Sequence, residues 1–519
     1  MDKQLKKIYL YMGIFVAIIF IGATYAFFTA GMSSENSTTV RADAGTMKIT
    51  YDGGANIDLA GIYPKDDVWA TKTITVTGNN TTDAEMYYKL TLVVDSNTFK
   101  TDDPLQYELV STNDSTNGEI IPNISKTDIT GTSIELGSGH FAKANNAKHT
   151  YLLKIYYPKK ATSQNANQGA AFSAHVEITS AKAPTVSNLA ETILANNEVK
   201  APITTPGAAV STASEALLAS TEDDYGTSYY FRGAVTNNYV EFANKCWRIV
   251  RVGGDGSVKL ILHNDNTAGV ANPCDSANNS ASAAFARYSE TTYTSAFNTN
   301  YNDNAYVGFK YGTVGASDYA TTHANTNNST ILTNLEAWYN NNLKTYESVI
   351  DDNVWCNDKT NVTDETYDPW NYTPNGLGYA NNVTFYGATQ RLVSSTSGSA
   401  GGTGLSLKCN GKLSKITSKI GLITADELAF AGYAAGTTAG TGNTTTYLQE
   451  NATDTYWWSL SPGNFYGNSA RVWIVGGSSG VFGHRSVGNT SAVRPSISLK
   501  STTNVTGNGT SSSPFVVKI

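Results

Sequence analysis

The chain has 519 residues, only 15% of them charged, and a formal net charge of −7. Since nucleic-acid binding needs a strongly basic surface, this balance argues against a nucleic acid as partner. The 31 tyrosines and 45 glycines, with abundant Thr, Asn and Ser, favour a mainly β protein with polar loops, divided into two or three domains.

Residues 1–30 have the features of an export segment. Three lysines precede an uncharged apolar run over residues 8–28, and the next basic residue is Arg41. A run of this length spans a bilayer as a helix, and the charge asymmetry places the N-terminus in the cytoplasm. We therefore expect the rest of the chain outside the cytoplasm. Residues 8–28 either remain as a membrane anchor or are cleaved near Ala26, and the sequence leaves both open.

Residues 45–182 show the alternation of apolar and polar side chains that is typical of half-buried strands. About seven short strands separated by turn residues predict an antiparallel β-sandwich. The clearest stretches are 45–51, 70–77, 86–95, 105–112, 151–157 and 172–178.

A family resemblance covers about the first 180 residues. The stretch GATYAFFT at 22–29, followed by AGTM at 44–47, resembles the TasA and camelysin group of exported Firmicute proteins, whose signals a SipW-type peptidase cuts. The resemblance implies a jelly-roll-like sandwich and, in some members, fibre assembly in biofilm matrix, so self-assembly through the sandwich is an expectation. Camelysin is described as a metalloprotease, but this chain contains no HExxH motif, so that activity is not carried over.

Residues 183–221 are rich in Ala, Thr, Ser and Pro and predict a linker with one short helix at 188–196.

Residues 222–519 predict an α+β module of strand pairs, two helices and closing strands. The second helix has the clearer ends, because Thr424 can cap it, Glu427 stands at its third position and Gly432 follows it. The predicted strands are 239–242, 247–252, 258–262, 456–460, 471–475 and 493–499, and the predicted helices are 330–350 and 424–431.

This module resembles an uncharacterised Firmicute surface module, which we place near the C-type-lectin-like superfold. The resemblance rests on CWRIVRV (246–252), VWCND (354–358), GLITADELAFAG (421–432), YWWSLSP (456–462) and VRPSISLK (493–500). The superfold also contains the formylglycine-generating enzymes and the variable proteins of diversity-generating retroelements. The cysteine pair that those enzymes use has no counterpart after Trp458, so the resemblance implies the fold and not the activity.

The cysteines number four, which suits two disulfides in an exported chain. Three pairings are open. We favour Cys246 with Cys274 and Cys356 with Cys409, since each pair closes a loop rich in Asn, Gly and Ser. No pair has CxxC spacing, so we predict no zinc site.

Two further sequence motifs resemble catalytic or metal-binding motifs. Residues 476–480 fit GxSxG, but no helix follows, so we interpret them as a hairpin turn and predict no catalytic residues. The loops 264–266 and 302–304 carry Asn and Asp oxygens that could bind calcium, or that could simply form turns. We therefore predict a protein that is not an enzyme and needs no cofactor, with calcium as the open alternative.

Residues 461–494 are the candidate ligand face. In retroelement variable proteins this part of the fold carries the diversified ligand surface, and Tyr, Trp and Arg concentrate binding energy at interfaces. The alternative is that Trp473 is core and that Arg471 pairs with a carboxylate. The candidate ligand residues are Asn464, Tyr466, Asn468, Arg471, Trp473, His484, Arg485 and Asn489.

Taken together, these patterns predict a bacterial cell-surface protein that displays a lectin-like, adhesin-type module for a protein or glycan ligand. The alternative is a structural matrix or fibre subunit of the TasA type.

Overall fold

The computed structural model describes residues 38–43, 46–80, 85–113, 117–180, 186–210, 215–289, 291–372, 383–409, 411–436 and 446–519. The chain forms two compact units, which meet in sequence between Thr185 and Val186. The mainly β fold class is confirmed, because strands far outnumber helices in both units.

Within the described residues, the first unit contains ten strands, and every pairing between them is antiparallel. They are β1 (Thr38–Asp43), β2 (Thr46–Asp52), β3 (Ile57–Ala60), β4 (Lys65–Asn80), β5 (Met86–Asn97), β6 (Gln106–Ser111), β7 (Ile124–Asp128), β8 (Ser133–Phe141), β9 (Ala144–Tyr157) and β10 (Ala171–Ser180).

These strands form a six-stranded sheet in the order β1-β2-β4-β9-β6-β7 and a four-stranded sheet in the order β3-β10-β5-β8. Ile74 and Val76 of the first sheet share one buried core with Leu90 and Leu92 of the second. All six predicted stretches are strands. The sequence missed β1, β3, β7 and β8, of which β7 is polar and β8 contains two glycines, so the alternation on which the prediction relied is weak there.

The second unit begins earlier than predicted, and this corrects the linker that we expected over residues 183–221. Ser187 and Asn188 pair with Val505 and Asn504 at the end of the chain. The predicted short helix is present as α1 (Leu189–Asn196), and its Leu189 side chain is buried in the core of the second unit. The Ala-rich composition therefore belongs partly to a packed helix.

The second unit contains nineteen strands and five α-helices within the described residues. The strands are β11 (Ser187–Asn188), β12 (Ala216–Asp223), β13 (Gly226–Gly233), β14 (Tyr239–Phe242), β15 (Lys245–Val252), β16 (Val258–Asn264), β17 (Thr294–Ala296), β18 (Lys310–Tyr311), β19 (Asn327–Asn328), β20 (Asn353–Cys356), β21 (Thr384–Phe385), β22 (Lys415–Ser418), β23 (Trp457–Tyr466), β24 (Ser469–Val475), β25 (Phe482–Ser486), β26 (Thr490–Ala492), β27 (Ser496–Leu499), β28 (Asn504–Thr506) and β29 (Phe515–Lys518). The remaining helices are α2 (Tyr319–Thr322), α3 (Thr330–Asn342), α4 (Gly387–Leu392) and α5 (Ala425–Ala431).

The strands of the second unit form two larger sheets. A nine-stranded sheet runs β11-β28-β29-β14-β15-β13-β12, with β16 beside β15 and β27 beside β16. A six-stranded sheet runs β17-β26-β23-β24-β25, with β21 beside β23. Two small sheets, β18-β19 and β20-β22, complete the unit.

Helix α3 packs an apolar face into the core, where Ile331, Leu335 and Trp338 are buried. It ends at Asn342, whereas the sequence predicted a helix to residue 350. The reason is local, because three consecutive asparagines end it and the Asn342 side chain bonds the Trp338 carbonyl at 2.9 Å. Asparagine favours helix ends over helix interiors.

Helix α5 begins as the sequence predicted. Thr424 Oγ1 accepts from the Glu427 N–H at 3.1 Å, and the Thr424 N–H donates to Glu427 Oε2 at 2.9 Å. Gly432 ends the helix at a φ of 122°. This reciprocal capping box satisfies backbone donors that a helix start otherwise leaves open.

Both predicted disulfides are confirmed. Cys246 bonds Cys274, and Cys356 bonds Cys409. Two disulfides fit an oxidising environment outside the cytoplasm.

The predicted export segment, residues 1–30, lies outside the described residues, as do its candidate anchor and cleavage site. Within the described ranges, no helix combines the length and the apolar character needed to cross a membrane.

Candidate ligand-binding site

A cavity of about 270 Å³ opens beside the β23–β24–β25 part of the six-stranded sheet. We call it the aromatic cavity. Its principal aromatic lining residues are Trp370, Tyr372, Trp473 and Phe482, and its principal polar lining residues are Asn464, Arg471 and His484.

Strand register explains why the polar residues meet there. Asn464 of β23 lies opposite Arg471 of β24, and Trp473 of β24 lies opposite His484 of β25. Because side chains alternate between the two faces of a strand, Arg471 and Trp473 project from the same face. The sheet therefore brings four of the eight predicted ligand residues to one cavity.

The aromatic rings pack against each other at angles. The ring centroids of Trp473 and His484 are 4.2 Å apart and nearly perpendicular, and Trp370 contacts His484 in the same way at 5.2 Å. Phe482 lies 4.7 Å from Trp473. Trp473 and Phe482 are buried, whereas Trp370 and Tyr372 are partly exposed. The cavity is therefore lined by two buried aromatic rings and by two that are partly exposed to solvent.

Glycine at position 463 permits the close approach of His484. A Cβ atom built there would lie 2.6 Å from His484 Cδ2, which is closer than carbon atoms approach. The backbone of β23 can therefore lie directly against the imidazole.

Thr389 fixes the protonation of His484. Thr389 Oγ1 donates to the Gly463 carbonyl at 2.8 Å and accepts from Trp473 Nε1–H at 3.2 Å. With its only proton used, the hydroxyl can take part in the 3.3 Å contact to His484 Nε2 only as an acceptor. His484 therefore carries its proton on Nε2, which leaves Nδ1 as a bare acceptor.

The imidazole is also neutral. Burial, together with the nearby Arg471 guanidinium, lowers the pKa of His484 to about 3. A histidine with this pKa stays uncharged throughout the physiological range. It offers a ligand a hydrogen-bond acceptor and a flat ring, and no positive charge.

Arg471 supplies the positive charge of the aromatic cavity. Its Cζ atom lies 5.7 Å from the ring centroid of Tyr466, which stacks on Tyr372 at 3.9 Å. Within the described residues, no carboxylate forms an ion pair with Arg471. The alternative role that the sequence allowed, pairing with a carboxylate, is therefore not seen in this part of the chain.

Asn464 is almost fully buried, with 2% of its surface exposed. Its Oδ1 atom makes no hydrogen bond to any residue that the structure describes. A buried amide oxygen without a partner is costly, which makes Asn464 a candidate for polar contacts through a ligand or bound water.

The other predicted ligand residues lie away from the aromatic cavity. Tyr466 is not a lining residue, but its ring stacks on the ring of Tyr372. Arg485 follows His484 directly in β25 and pairs with Val472, so its side chain projects from the opposite face of the strand. Its Cζ atom lies 4.6 Å from the Tyr456 ring centroid. Asn468 and Asn489 occupy exposed turns, and Asn468 has a φ of 59°, as the second residue of a tight hairpin requires.

The sequence missed Trp370 and Tyr372. They belong to a loop about 90 residues before β23, and their only signal was the aromatic cluster in PWNY at 369–372.

A second feature that the sequence missed is a network of buried ion pairs. Arg391 bonds both oxygens of Asp426 at 2.8 Å and Asp358 at 2.6 Å. Arg251 and Lys259 meet Glu427 at 3.0 and 2.7 Å.

We call these six residues, together with Asp223, the charge network. Asp223 contributes through its contact with Arg251 at 2.8 Å. Burial alone would raise the pKa of Glu427, but Lys259 and Arg251 outweigh it and lower the pKa to about 2. Since the network's charges are paired with one another, it holds together β12, β15, β16, α4 and α5 rather than supplying a free acid or base.

The first candidate calcium loop is occupied by protein contacts. Asp265 Oδ1 lies 2.8 Å from Lys245 Nζ, and Asn264 Oδ1 accepts from the Asn266 N–H at 2.8 Å. An ammonium group beside the carboxylate disfavours a cation there.

The second candidate loop forms a turn. Asp303 accepts from the Ala305 and Gly315 N–H groups at 2.8 and 2.9 Å. Across the described ranges, no cluster of three or more His, Cys, Asp or Glu side chains is positioned to hold a metal ion.

Residues 476–480, which fit GxSxG, connect β24 to β25 as a turn, with the Gly480 N–H donating to the Gly476 carbonyl at 3.0 Å.

Comparisons with known proteins add little. No family model matches the chain, and no curated protein matches it. Among solved structures, the P-domain of Macrobrachium rosenbergii nodavirus is similar at a TM-score of 0.13 and 15% identity, over 25% of this chain and 90% of that one. A likeness this distant carries no argument about fold or function.

Proposed function

We propose that this chain is a bacterial cell-surface protein whose second unit is a C-type-lectin-like module that binds a protein or glycan ligand, as adhesins do. The observation that carries the proposal is the aromatic cavity. In this proposal the first unit is a TasA-like β-sandwich, and residues 8–28 export the chain, whether they remain as an anchor or are cleaved near Ala26.

The composition of the cavity supports ligand binding. Binding sites are typically concave and lined by aromatic side chains, with a few polar groups that orient the ligand. Here Arg471, Asn464 and His484 are the polar groups, and all three are held by a sheet rather than by a mobile loop. Rigid placement lowers the entropy that binding costs.

The same geometry favours binding over catalysis. His484 is neutral and its Nε2 proton is directed at Thr389, so its proton is not available to a reacting group. The described lining residues include no Asp, Glu, Cys or Lys. Such a group beside the histidine would favour acid–base or nucleophilic chemistry.

Self-assembly into fibres is the second candidate. Strands β1 and β7 are the outermost strands of the six-stranded sheet in the first unit, so each has one unpaired edge within the described residues. An open edge can accept a strand from another copy. Filaments of the purified full chain in electron micrographs would favour this candidate, and a monodisperse monomer at high concentration would count against it.

An array of glycans and extracellular proteins tests the leading proposal. The full chain should bind specific array components, and Arg471→Ala should lose at least tenfold in affinity for them, since hydrogen bonds to a charged group carry that much or more.

Arg485→Ala is the matched control, because it removes an arginine from the neighbouring strand on the other face. It should bind like the wild type. Absence of binding to every array component, or equal losses in the two variants, would contradict the proposal.

A further inference from the structure

We propose that the aromatic cavity recognises a carboxylate-bearing sugar, such as a uronic or sialic acid, with the Arg471 guanidinium holding the carboxylate. This inference rests on the proposed ligand-binding function and names its ligand class.

The first support is an imbalance of charge. Arg471 is the only charged side chain among the described lining residues. Elsewhere in this unit, Arg232, Arg251 and Arg391 each form an ion pair with a carboxylate at 2.6 to 3.0 Å. Arg287 and Arg494 form no ion pair in this part of the chain but donate to carbonyl or hydroxyl oxygens. Arg471 makes neither kind of contact within the described residues, so its guanidinium is available to an anion from a ligand.

Two segments that follow lining residues contain no carboxylate. The segments 373–382 and 437–445, which follow lining residues Tyr372 and Gly436, contain no Asp or Glu. These two segments therefore supply no carboxylate that could pair with Arg471.

The second support is the number and type of cationic groups. One guanidinium matches one carboxylate, because its planar fork makes two parallel hydrogen bonds. A phosphate bears more charge, and His484 cannot contribute a second cation because it stays neutral. The arrangement thus favours a carboxylate over a phosphate.

The third support is the shape of the remaining surface. Trp370 and Tyr372, which are partly exposed, give flat apolar rings of the kind that pack against the C–H face of a sugar. His484 Nδ1 can accept from a hydroxyl, and the amide of Asn464 can donate or accept. The cavity volume of about 270 Å³ is near the lower end of the range typical of small-molecule sites.

The test compares two sugars that differ only at the carboxylate. Methyl glucuronide and methyl glucoside are titrated into the full chain by calorimetry or saturation-transfer NMR. We expect the glucuronide to bind at least tenfold more tightly, and the preference to shrink at high salt. The methyl glycoside of N-acetylneuraminic acid should bind as well.

Three variants locate the effect. Arg471→Ala should abolish the preference, Arg471→Lys should retain part of it because the charge remains without the fork, and Arg485→Ala should leave it intact. Near-UV circular dichroism that matches the wild type shows that each variant is folded.

Equal binding of the two sugars, or a preference that survives in Arg471→Ala, would overturn the inference while leaving the proposed function standing. Binding of a Glu-containing peptide in place of both sugars would overturn the sugar class. The proposed function itself fails if the glycan and protein array shows no binding, or if Arg471→Ala and Arg485→Ala lose array binding equally.

Discussion

The charge network makes a quantitative prediction about stability. Arg391 holds two carboxylates, Asp426 and Asp358, whose side chains are each 3% exposed. In Arg391→Ala both carboxylates stay buried without their main counter-charge. Removing one partner of a buried ion pair costs about 3–5 kcal/mol. We therefore expect Arg391→Ala to lose about that much of the free energy of unfolding.

Urea unfolding followed by tryptophan fluorescence measures this loss. Every tryptophan except Trp69 lies in the second unit, so the signal reports that unit. Lys344→Ala is the control, because its pair with Glu347 is exposed and should contribute little. Adding Asp426→Asn to Arg391→Ala should recover part of the loss, since one buried charge is then removed.

Near-equal urea unfolding midpoints for Arg391→Ala and Lys344→Ala would show that the buried ion pairs of Arg391 contribute no more stability than an exposed pair. A double variant less stable than the single one would also contradict the prediction, because that would mean the Asp426 charge does not oppose folding when Arg391 is absent.

Three further predictions concern stability and protonation. Folding lowers the pKa of Glu427 from 4.5 to about 2. The ionised Glu427 side chain therefore contributes fully to the free energy of unfolding above pH 4.5, and this contribution is lost as the pH falls toward 2. Glu427→Gln should flatten this part of the curve of stability against pH. Replacing Cys356 and Cys409 by serine should cost about 4 kcal/mol, as expected for a loop of 53 residues, and urea midpoints check it. Nitrogen-15 NMR should show His484 as the Nε2–H form with no titration between about pH 5 and 8. Thr389→Val should let both neutral forms appear, and titration of the wild-type ring in that range would contradict the assignment.

Features encoded by local sequence could be predicted. Thr424 and Glu427 signal a helix start by their spacing alone, and the structure has the full capping box. The strands of the first unit with regular alternation were found, while the polar β7 and the glycine-containing β8 were missed. The disulfide pairing followed from which loops needed closing.

The candidate site could be predicted only in part, because its geometry depends on register. β23 contains irregularities on both sides of Pro462, so a simple period of two does not reveal which of its residues face the cavity. Asn464 and Arg471 meet because of that register. Trp370 and Tyr372 come from a distant loop, and no local pattern reports such a contact.

The charge network was hidden for a similar reason. Arg251 stands in an apolar strand, and an arginine in a mostly buried strand signals a buried partner somewhere. The partners, Asp223 and Glu427, lie 28 and 176 residues away. The sequence indicates that a partner is needed and does not identify it.

Ligand binding in the aromatic cavity can be followed by NMR through the indole N–H signals of the tryptophans. On adding the glycan or protein that the full chain binds best on the array, the signals of Trp370 and Trp473 should shift. Those of Trp247 and Trp338, buried in the core beside β15 and α3, should not. Binding that leaves the Trp370 and Trp473 signals in place would show that the ligand binds outside the aromatic cavity.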